Sequence, residues 1–213
     1  MIAVIFDIDG TLVESFHFDG LIYVSAVKDV LGEVIIKENW NHYKNITDTG
    51  ILRQIMDENR ICEEGQIGKV RKKFGESVTQ HLDNSGDCRP KKGAIDLVDK
   101  LLSGPRYKVG FATGGWRHTA GMKLQRAGFD LKNPVLFSSD DSDERAEIMT
   151  KCLLALGSRF NRIVYIGDAE WDVQAAETLG WHFIGVGARL EGKCEFWVED
   201  FSDQSLFMRM LYA

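Results

Sequence analysis

Five short apolar runs punctuate the chain and predict buried β-strands. The first run spans 2–6, and the later ones span 107–112, 134–137, 162–166 and 182–186. The runs contain β-branched and aromatic residues without a strict polar alternation, which is typical of parallel strands covered on both faces. The sequence therefore predicts a largely parallel sheet inside the protein.

Helical stretches alternate with the later runs. Helices are predicted over 116–127, 142–156 and 169–179. Each stretch stops at a glycine, the residue that most often follows the C-terminal end of a helix. These glycines are Gly128, Gly157 and Gly180. Alternating strands and helices predict right-handed βαβ units, and hence an α/β fold with a doubly wound parallel sheet.

The stretch from 15 to 89 interrupts this alternation, because it follows the first strand and contains no convincing buried strand. Its pattern indicates helices over 21–31, 37–43, 50–58 and 63–82. A helical insertion explains this stretch best, and a core helix is predicted after it, over 94–102. We therefore predict an α/β core domain built from 1–14 and 90–213, with an inserted helical cap domain formed by 15–89.

Composition and charge narrow the class of protein. The chain has 213 residues, 44% of them hydrophobic, and a formal net charge of −6. The hydrophobic share is sufficient for a packed core. The net negative charge argues against a nucleic-acid partner, because binding a nucleic-acid backbone requires clustered Lys and Arg. No apolar run approaches the roughly 18 residues that span a bilayer, and no basic signal segment precedes the first strand. We expect a cytoplasmic monomer or homodimer with neither a nucleic-acid nor a membrane partner.

Polar residues follow three of the five predicted strands, at the point where each strand ends. They are Asp7 and Asp9 after the first strand, 113–115 (Thr-Gly-Gly) after the second, and Asp168 with Asp172 after the fourth. In open α/β sheets, ligands bind beyond the carboxyl ends of the strands, so we expect these residues to lie close together.

Four carboxylates at one edge of a sheet would repel one another strongly unless a cation neutralised them. Hard oxygen ligands with neither Cys nor His beside them favour Mg²⁺. Mg²⁺ also tends to complete its coordination with water and substrate phosphate oxygens. The sequence therefore predicts a magnesium site that supports phosphoryl transfer.

Three segments, taken in order, resemble the motifs of the haloacid dehalogenase (HAD) superfamily of phosphatases. They are 7–13 (DIDGTLV), 111–115 (FATGG) and 166–168 (IGD) followed by Asp172. The resemblance extends from residue 1 to about 186. With its helical insertion, the chain is most similar to the phosphoglycolate phosphatase and β-phosphoglucomutase branch. The resemblance implies a Mg²⁺-dependent hydrolase that acts on a small phosphorylated metabolite.

The resemblance also implies a role for each acid. Asp7 would attack phosphorus to form an aspartyl-phosphate, and its other oxygen would bind Mg²⁺. Asp9 would bind the metal through its backbone carbonyl, and its side chain would act first as general acid and then as general base. Asp168 would bind the metal directly. Asp172 would bind it directly, through a water, or by holding another ligand.

The phosphate group is expected to lie against Thr113, Gly114 and Gly115, where a hydroxyl and a backbone amide would hold its oxygens. The family also places a cation, usually Lys, before the helix that precedes the fourth strand. This chain lacks the usual Lys-Pro pair there. Arg145 is predicted to take the role, because its guanidinium offers a fork of donors to phosphate. Lys151, deeper in the same helix, is the alternative.

Two alternatives to hydrolysis stay open on the sequence. A sugar phosphomutase would return the phosphoryl group from Asp7 to a bound sugar, and a catalytically idle protein would only bind a phosphorylated ligand. The acid at Asp9 argues against the dehalogenase and phosphonatase relatives, which lack one there. In the insertion, Thr47, Asp48 and Arg53 are candidates for substrate specificity.

Overall fold

A parallel sheet forms the centre of the protein. The structure, a computed structural model, describes residues 1–62, 64–85, 88–157 and 159–213. Its strands are β1 (Ile2–Phe6), β2 (Tyr107–Ala112), β3 (Leu136–Phe137), β4 (Arg162–Gly167), β5 (His182–Val186) and β6 (Trp197–Val198). In these described residues they form one six-stranded sheet, with the order β3-β2-β1-β4-β5-β6 and every neighbouring pair parallel.

Eight α-helices accompany the sheet in the same described ranges. They are α1 (Phe16–Leu31), α2 (Asp48–Glu58), α3 (Gln66–Ser85), α4 (Ala94–Ser103), α5 (Arg117–Arg126), α6 (Arg145–Leu156), α7 (Glu170–Leu179) and α8 (Gln204–Met210). None of the described helices is long and apolar enough to cross a membrane.

Helices cover both faces of the sheet. Successive side chains of a strand point in opposite directions, so neighbouring residues of β1 pack against different helices. Val4 and Phe6 of β1 belong to a hydrophobic cluster that includes buried residues of α4 and α5. Ile5, between them, belongs to a second cluster with α6 and α7. The doubly wound α/β core predicted from the sequence is therefore confirmed.

The five predicted strands are all present, and three of them have the predicted bounds. The third strand begins two residues late, at Leu136, because Pro134 has no N–H group to donate to a neighbouring strand. β6 and α8 were not predicted. β6 contains only two residues, too few to show any periodicity, and α8 begins at a cap where Asp203 accepts a hydrogen bond from the N–H of Leu206 (2.9 Å).

The stretch between β1 and α4 is helical, as expected, but one of its predicted helices is wrong. The segment 37–43 contains only a single 3₁₀ turn, Trp40–His42. The side chain of Asn39 accepts a hydrogen bond from the N–H of Asn41 (3.0 Å), and such a local bond competes with helix formation. The predicted helix over 63–82 is observed as α3, and Glu63 lies outside the described residues.

Two leucines on core helices provide a test of this packing. Leu97 of α4 is completely buried, whereas Leu154 of α6 is 68% exposed. We expect Leu97→Ala to lower the free energy of unfolding by about 2–5 kcal/mol, since it leaves a cavity in the core. Leu154→Ala should change it by no more than about 0.5 kcal/mol. Urea unfolding of both variants measures the difference, and equal effects would contradict the described position of α4.

Candidate active site

The predicted site residues meet at the carboxyl edge of the sheet. β1 lies between β2 and β4, so the loops that follow these three strands are neighbours. Asp7 follows β1, Thr113 follows β2 and Asp168 follows β4. All three side chains are buried. The parallel arrangement thus brings Asp7 close to residues that follow it by more than 100 positions in the chain.

Three of the predicted metal ligands form a compact carboxylate cluster. Asp7, Asp168 and Asp172 are buried, and one carboxylate oxygen of each lies within 4.8 Å of those of the others. Asp172 lies in the first turn of α7, where its Oδ2 accepts hydrogen bonds from the N–H groups of Asp168 and Ala169 (3.2 Å each). These two bonds hold the carboxylate over the end of β4.

The carboxylates of this cluster destabilise one another when ionised. Burial, and then the charge of Asp172, raise the pKa of Asp7 well above its usual value, although Arg145 opposes the shift. Burial also raises the pKa of Asp168 to about 6, against the influence of Arg189. A divalent cation would relieve this repulsion, and a set of carboxylate oxygens matches the preference of Mg²⁺. The side chains present therefore fit the expected metal.

Arg145 reaches the acidic cluster from the start of α6. Its Nη1 donates to Asp7 Oδ1 (3.2 Å) and to Asp172 Oδ1 (2.9 Å). A Cβ on Gly114 would overlap the Arg145 guanidinium, so the absence of a side chain there permits this close approach. Lys151 instead donates to the backbone oxygen of Asp141 (2.6 Å). Of the two predicted cations, the structure brings only Arg145 to the acids.

The turn after β2 lines the site, where Thr113, Gly114 and Gly115 border the cavity beside the acids. Thr113 Oγ1 accepts a hydrogen bond from the N–H of Gly115 (3.0 Å), which closes the turn. Asp9 Oδ2 lies 3.3 Å from the point where a Cβ on Gly115 would stand. A glycine at this position therefore leaves the space between Asp9 and the turn open for a ligand.

This turn is also hydrogen-bonded to α2. The N–H of Asp48 donates to the carbonyl of Gly114 (2.8 Å), and Asp48 Oδ2 accepts from the N–H of Trp116 (2.9 Å). Thr47 Oγ1 caps α2 by accepting from the N–H of Gly50 (3.1 Å). The indole of Trp116 donates to Thr49 Oγ1 (2.9 Å) and is buried, so this tryptophan packs the junction.

A cavity of about 110 Å³ adjoins the acidic cluster and is bordered by residues from the helical stretch. Among its lining residues are Asp19, Tyr23, Trp40, Asp48, Ile51 and Trp171. Thr47 and Asp48, two of the three specificity candidates, line it. The third, Arg53, is not among the lining residues, and its Nε pairs instead with Asp143 Oδ2 (3.0 Å).

Two cations of the site were missed by the sequence analysis. Lys123 of α5 is buried, and its Nζ binds Asp9 Oδ1 (2.5 Å) and Asp19 Oδ1 (2.7 Å). Its one sequence signal is its place on the apolar face of α5, since positions 120, 124 and 127 are apolar. Arg189 binds Asp168 and stacks on Phe16, with 3.9 Å from its guanidinium carbon to the ring centroid. No motif marks Arg189.

Comparisons with known proteins identify the family and the fold of the chain. The sequence model described as haloacid dehalogenase-like hydrolase matches residues 4–186. No curated protein matches the chain.

Solved structures resemble the chain in fold at low sequence identity. A hydrolase from Pseudomonas syringae is 20% identical (99% of this chain and 90% of that one; TM-score 0.70). A β-phosphoglucomutase from Clostridium difficile is 19% identical (100% and 98%; TM-score 0.73). A predicted phosphoglycolate phosphatase from Haemophilus somnus is 18% identical (97% of each chain; TM-score 0.65). Below 25% identity, these likenesses show the fold.

If the acidic cluster binds Mg²⁺, the ion should stabilise the folded protein. At a Mg²⁺ concentration about 100 times the dissociation constant, the melting temperature should rise by about 5 °C or more, because the ion binds only the folded protein. Asp168→Asn and Asp172→Asn should remove the rise. The control Asp83→Asn changes an exposed acid of α3 and should retain it. Differential scanning calorimetry with and without MgCl₂ measures the shift, and an identical rise in all four proteins would place the metal elsewhere.

Proposed function

The chain belongs to the haloacid dehalogenase-like hydrolase family, and from this premise we propose that it is a Mg²⁺-dependent phosphatase of a small phosphorylated metabolite. The arrangement around Asp7 is the observation that carries the proposal. A buried carboxylate in contact with a guanidinium and next to two further acids is suited to attack phosphorus while positive charge offsets that of the phosphate. The small volume of the adjoining cavity supports a small substrate.

In the proposed reaction, an oxygen of Asp7 forms a bond to phosphorus while the ester bond to the leaving oxygen breaks. The leaving oxygen takes a proton from Asp9, and Asp9 then removes a proton from the water that hydrolyses the aspartyl-phosphate. Mg²⁺, held by Asp7, Asp168 and Asp172, would supply positive charge against the phosphoryl oxygens.

Side chains around Asp7 orient it for this attack. Thr11 Oγ1 donates to Asp7 Oδ2 (3.3 Å), and Arg145 donates to Asp7 Oδ1. In the proposal, Arg145 also contacts a phosphate oxygen, and Thr113 with the amide of Gly114 holds the others. These donors are in place before the substrate arrives, so little reorganisation accompanies the reaction.

We further propose that 15–89 acts as a cap domain over the core built from 1–14 and 90–213. Support comes from Tyr23, Trp40 and Ile51, which border the cavity beside the acids. Large apolar side chains at this place would exclude bulk water during transfer to Asp7 and would contact the leaving group. Substrate selection would then depend mainly on residues of this stretch.

Turnover of p-nitrophenyl phosphate with and without Mg²⁺ tests the proposal. We expect Asp7→Asn to abolish activity, because the amide is not a nucleophile. Asp9→Asn should lower kcat by about 10²–10⁴-fold through loss of proton transfer. Circular dichroism checks that both variants fold. Activity of purified Asp7→Asn equal to that of the wild type would rule out the mechanism, and release of free phosphate from a sugar 1-phosphate would separate hydrolysis from mutase chemistry.

The two cations of α6 provide a second test. Arg145→Ala should lower kcat/KM by about 10²–10³-fold, because it removes donors aimed at the nucleophile and the phosphate. Lys151→Ala should stay within about twofold of the wild type, since Lys151 contacts the Asp141 backbone oxygen and an exposed Glu147 and none of the clustered acids. Arg145→Lys retains a positive charge and serves as the second variant if Arg145→Ala does not fold. Loss of activity in Lys151→Ala but not in Arg145→Ala would exchange the two roles.

A further inference from the structure

A buried lysine outside the recognised motifs contacts the proposed general acid. Lys123 of α5 has 1% of its side chain exposed, and its ammonium group lies between Asp9 and Asp19. A buried ammonium is costly unless carboxylates compensate it. Burial by itself would lower the pKa of Lys123, but Asp19 and Asp9 together raise it above its usual value, so the side chain stays charged.

The two oxygens of Asp9 have different surroundings. Oδ1 accepts from Lys123 Nζ at 2.5 Å and also from the hydroxyl of Ser15. Oδ2 faces the turn after β2: it lies 3.3 Å from the point where a Cβ on Gly115 would stand, and Thr113 Oγ1 and Asp48 Oδ2 lie 3.5 and 3.7 Å from the same point. The hydrogen bonds to Oδ1 therefore fix the rotation of the carboxyl group and turn Oδ2 toward the place where the phosphate ester is expected.

We propose that Lys123 is a positioning residue that holds Asp9 so that Oδ2 transfers its proton to the leaving oxygen. The inference rests on the proposed phosphatase function. As the ester bond breaks and the bond from Asp7 to phosphorus forms, the proton moves from Asp9 Oδ2 to the leaving oxygen. Lys123 keeps its own protons throughout and acts only through its hydrogen bond to Oδ1.

A purely structural role makes a different prediction. Lys123 also binds Asp19 of α1, and this ion pair links α1 to α5. If the linkage were its only contribution, removing Lys123 would impair every substrate equally. A positioning role instead impairs the substrates whose leaving group requires a proton.

Two aryl phosphates of similar shape separate these roles. Phenoxide is a strong base that leaves with a proton, whereas 2,4-dinitrophenolate leaves readily without one. kcat/KM covers the steps up to the departure of this group, so it excludes the later attack of water. We expect Lys123→Met to lower kcat/KM for phenyl phosphate by about 100-fold, and for 2,4-dinitrophenyl phosphate by less than about threefold.

Five further variants, one of them a double variant, complete the experiment. Lys73→Met is the matched control, since Lys73 also pairs with an acid of α1, Asp29, and it should leave the ratio of the two rates unchanged. Asp19→Asn retains the bond from Lys123 to Asp9 and should also retain the ratio. Asp9→Asn should reproduce the selective loss, and adding Lys123→Met to it should change the ratio no further.

Lys123→Arg keeps the positive charge and replaces Lys123→Met in the test if the methionine variant does not fold. It should reduce the turnover of phenyl phosphate more than that of 2,4-dinitrophenyl phosphate.

An equal loss for both esters in Lys123→Met or Lys123→Arg would overturn the positioning role. The same conclusion would follow if Asp19→Asn showed the same selective loss. If the folded wild-type protein with Mg²⁺ hydrolysed neither ester, the proposed function would itself be wrong, and the role of Lys123 would fall with it.

Discussion

Mutual repulsion among buried carboxylates is the constraint on which the rest of the site depends. The order of β2, β1 and β4 brings Asp7 and Asp168 to one edge of the sheet, and Asp172 joins them from α7. Acids this close cannot all stay ionised in a buried place without positive charge nearby. The elements around the acids supply this positive charge through cationic side chains and leave space for a metal ion.

The cations come from different parts of the core and reach different acids. Arg145, at the start of α6, binds Asp7 and Asp172, while Lys123 of α5 binds Asp9. Arg189, after β5, binds Asp168. The helices α5 and α6 belong to different hydrophobic clusters, on opposite faces of the sheet, so Lys123 and Arg145 approach the acids from different sides. The packing of these helices thus determines from which side each of the two cations reaches the acids.

The sequence predicted the sheet, and the acids lie at the edge of the sheet where the strand pattern places them; both follow from one physical reason. Continuous apolar runs mark strands that are buried on both faces, and parallel strands necessarily align their carboxyl ends. Lys123 was missed because its partner Asp9 is 114 positions away, and a lysine in a helix usually projects into solvent. The helix predicted over 37–43 was wrong, because the side chain of one asparagine binds the backbone locally and the helical pattern of this segment is weak.

The hydrogen bonds between α2 and the turn after β2 have a consequence for the modularity of the fold. The carbonyl of Gly114 accepts from the N–H of Asp48, and the N–H of Trp116 donates to the Asp48 carboxylate. Asp48 belongs to the helical stretch. A stretch transplanted from a relative would have to place a backbone N–H against the Gly114 carbonyl and a carboxylate against the Trp116 N–H, or leave these groups without partners. Each unpaired group would cost about 1–3 kcal/mol. The helical stretch and the turn after β2 are therefore not interchangeable parts, and their sequences are expected to change together.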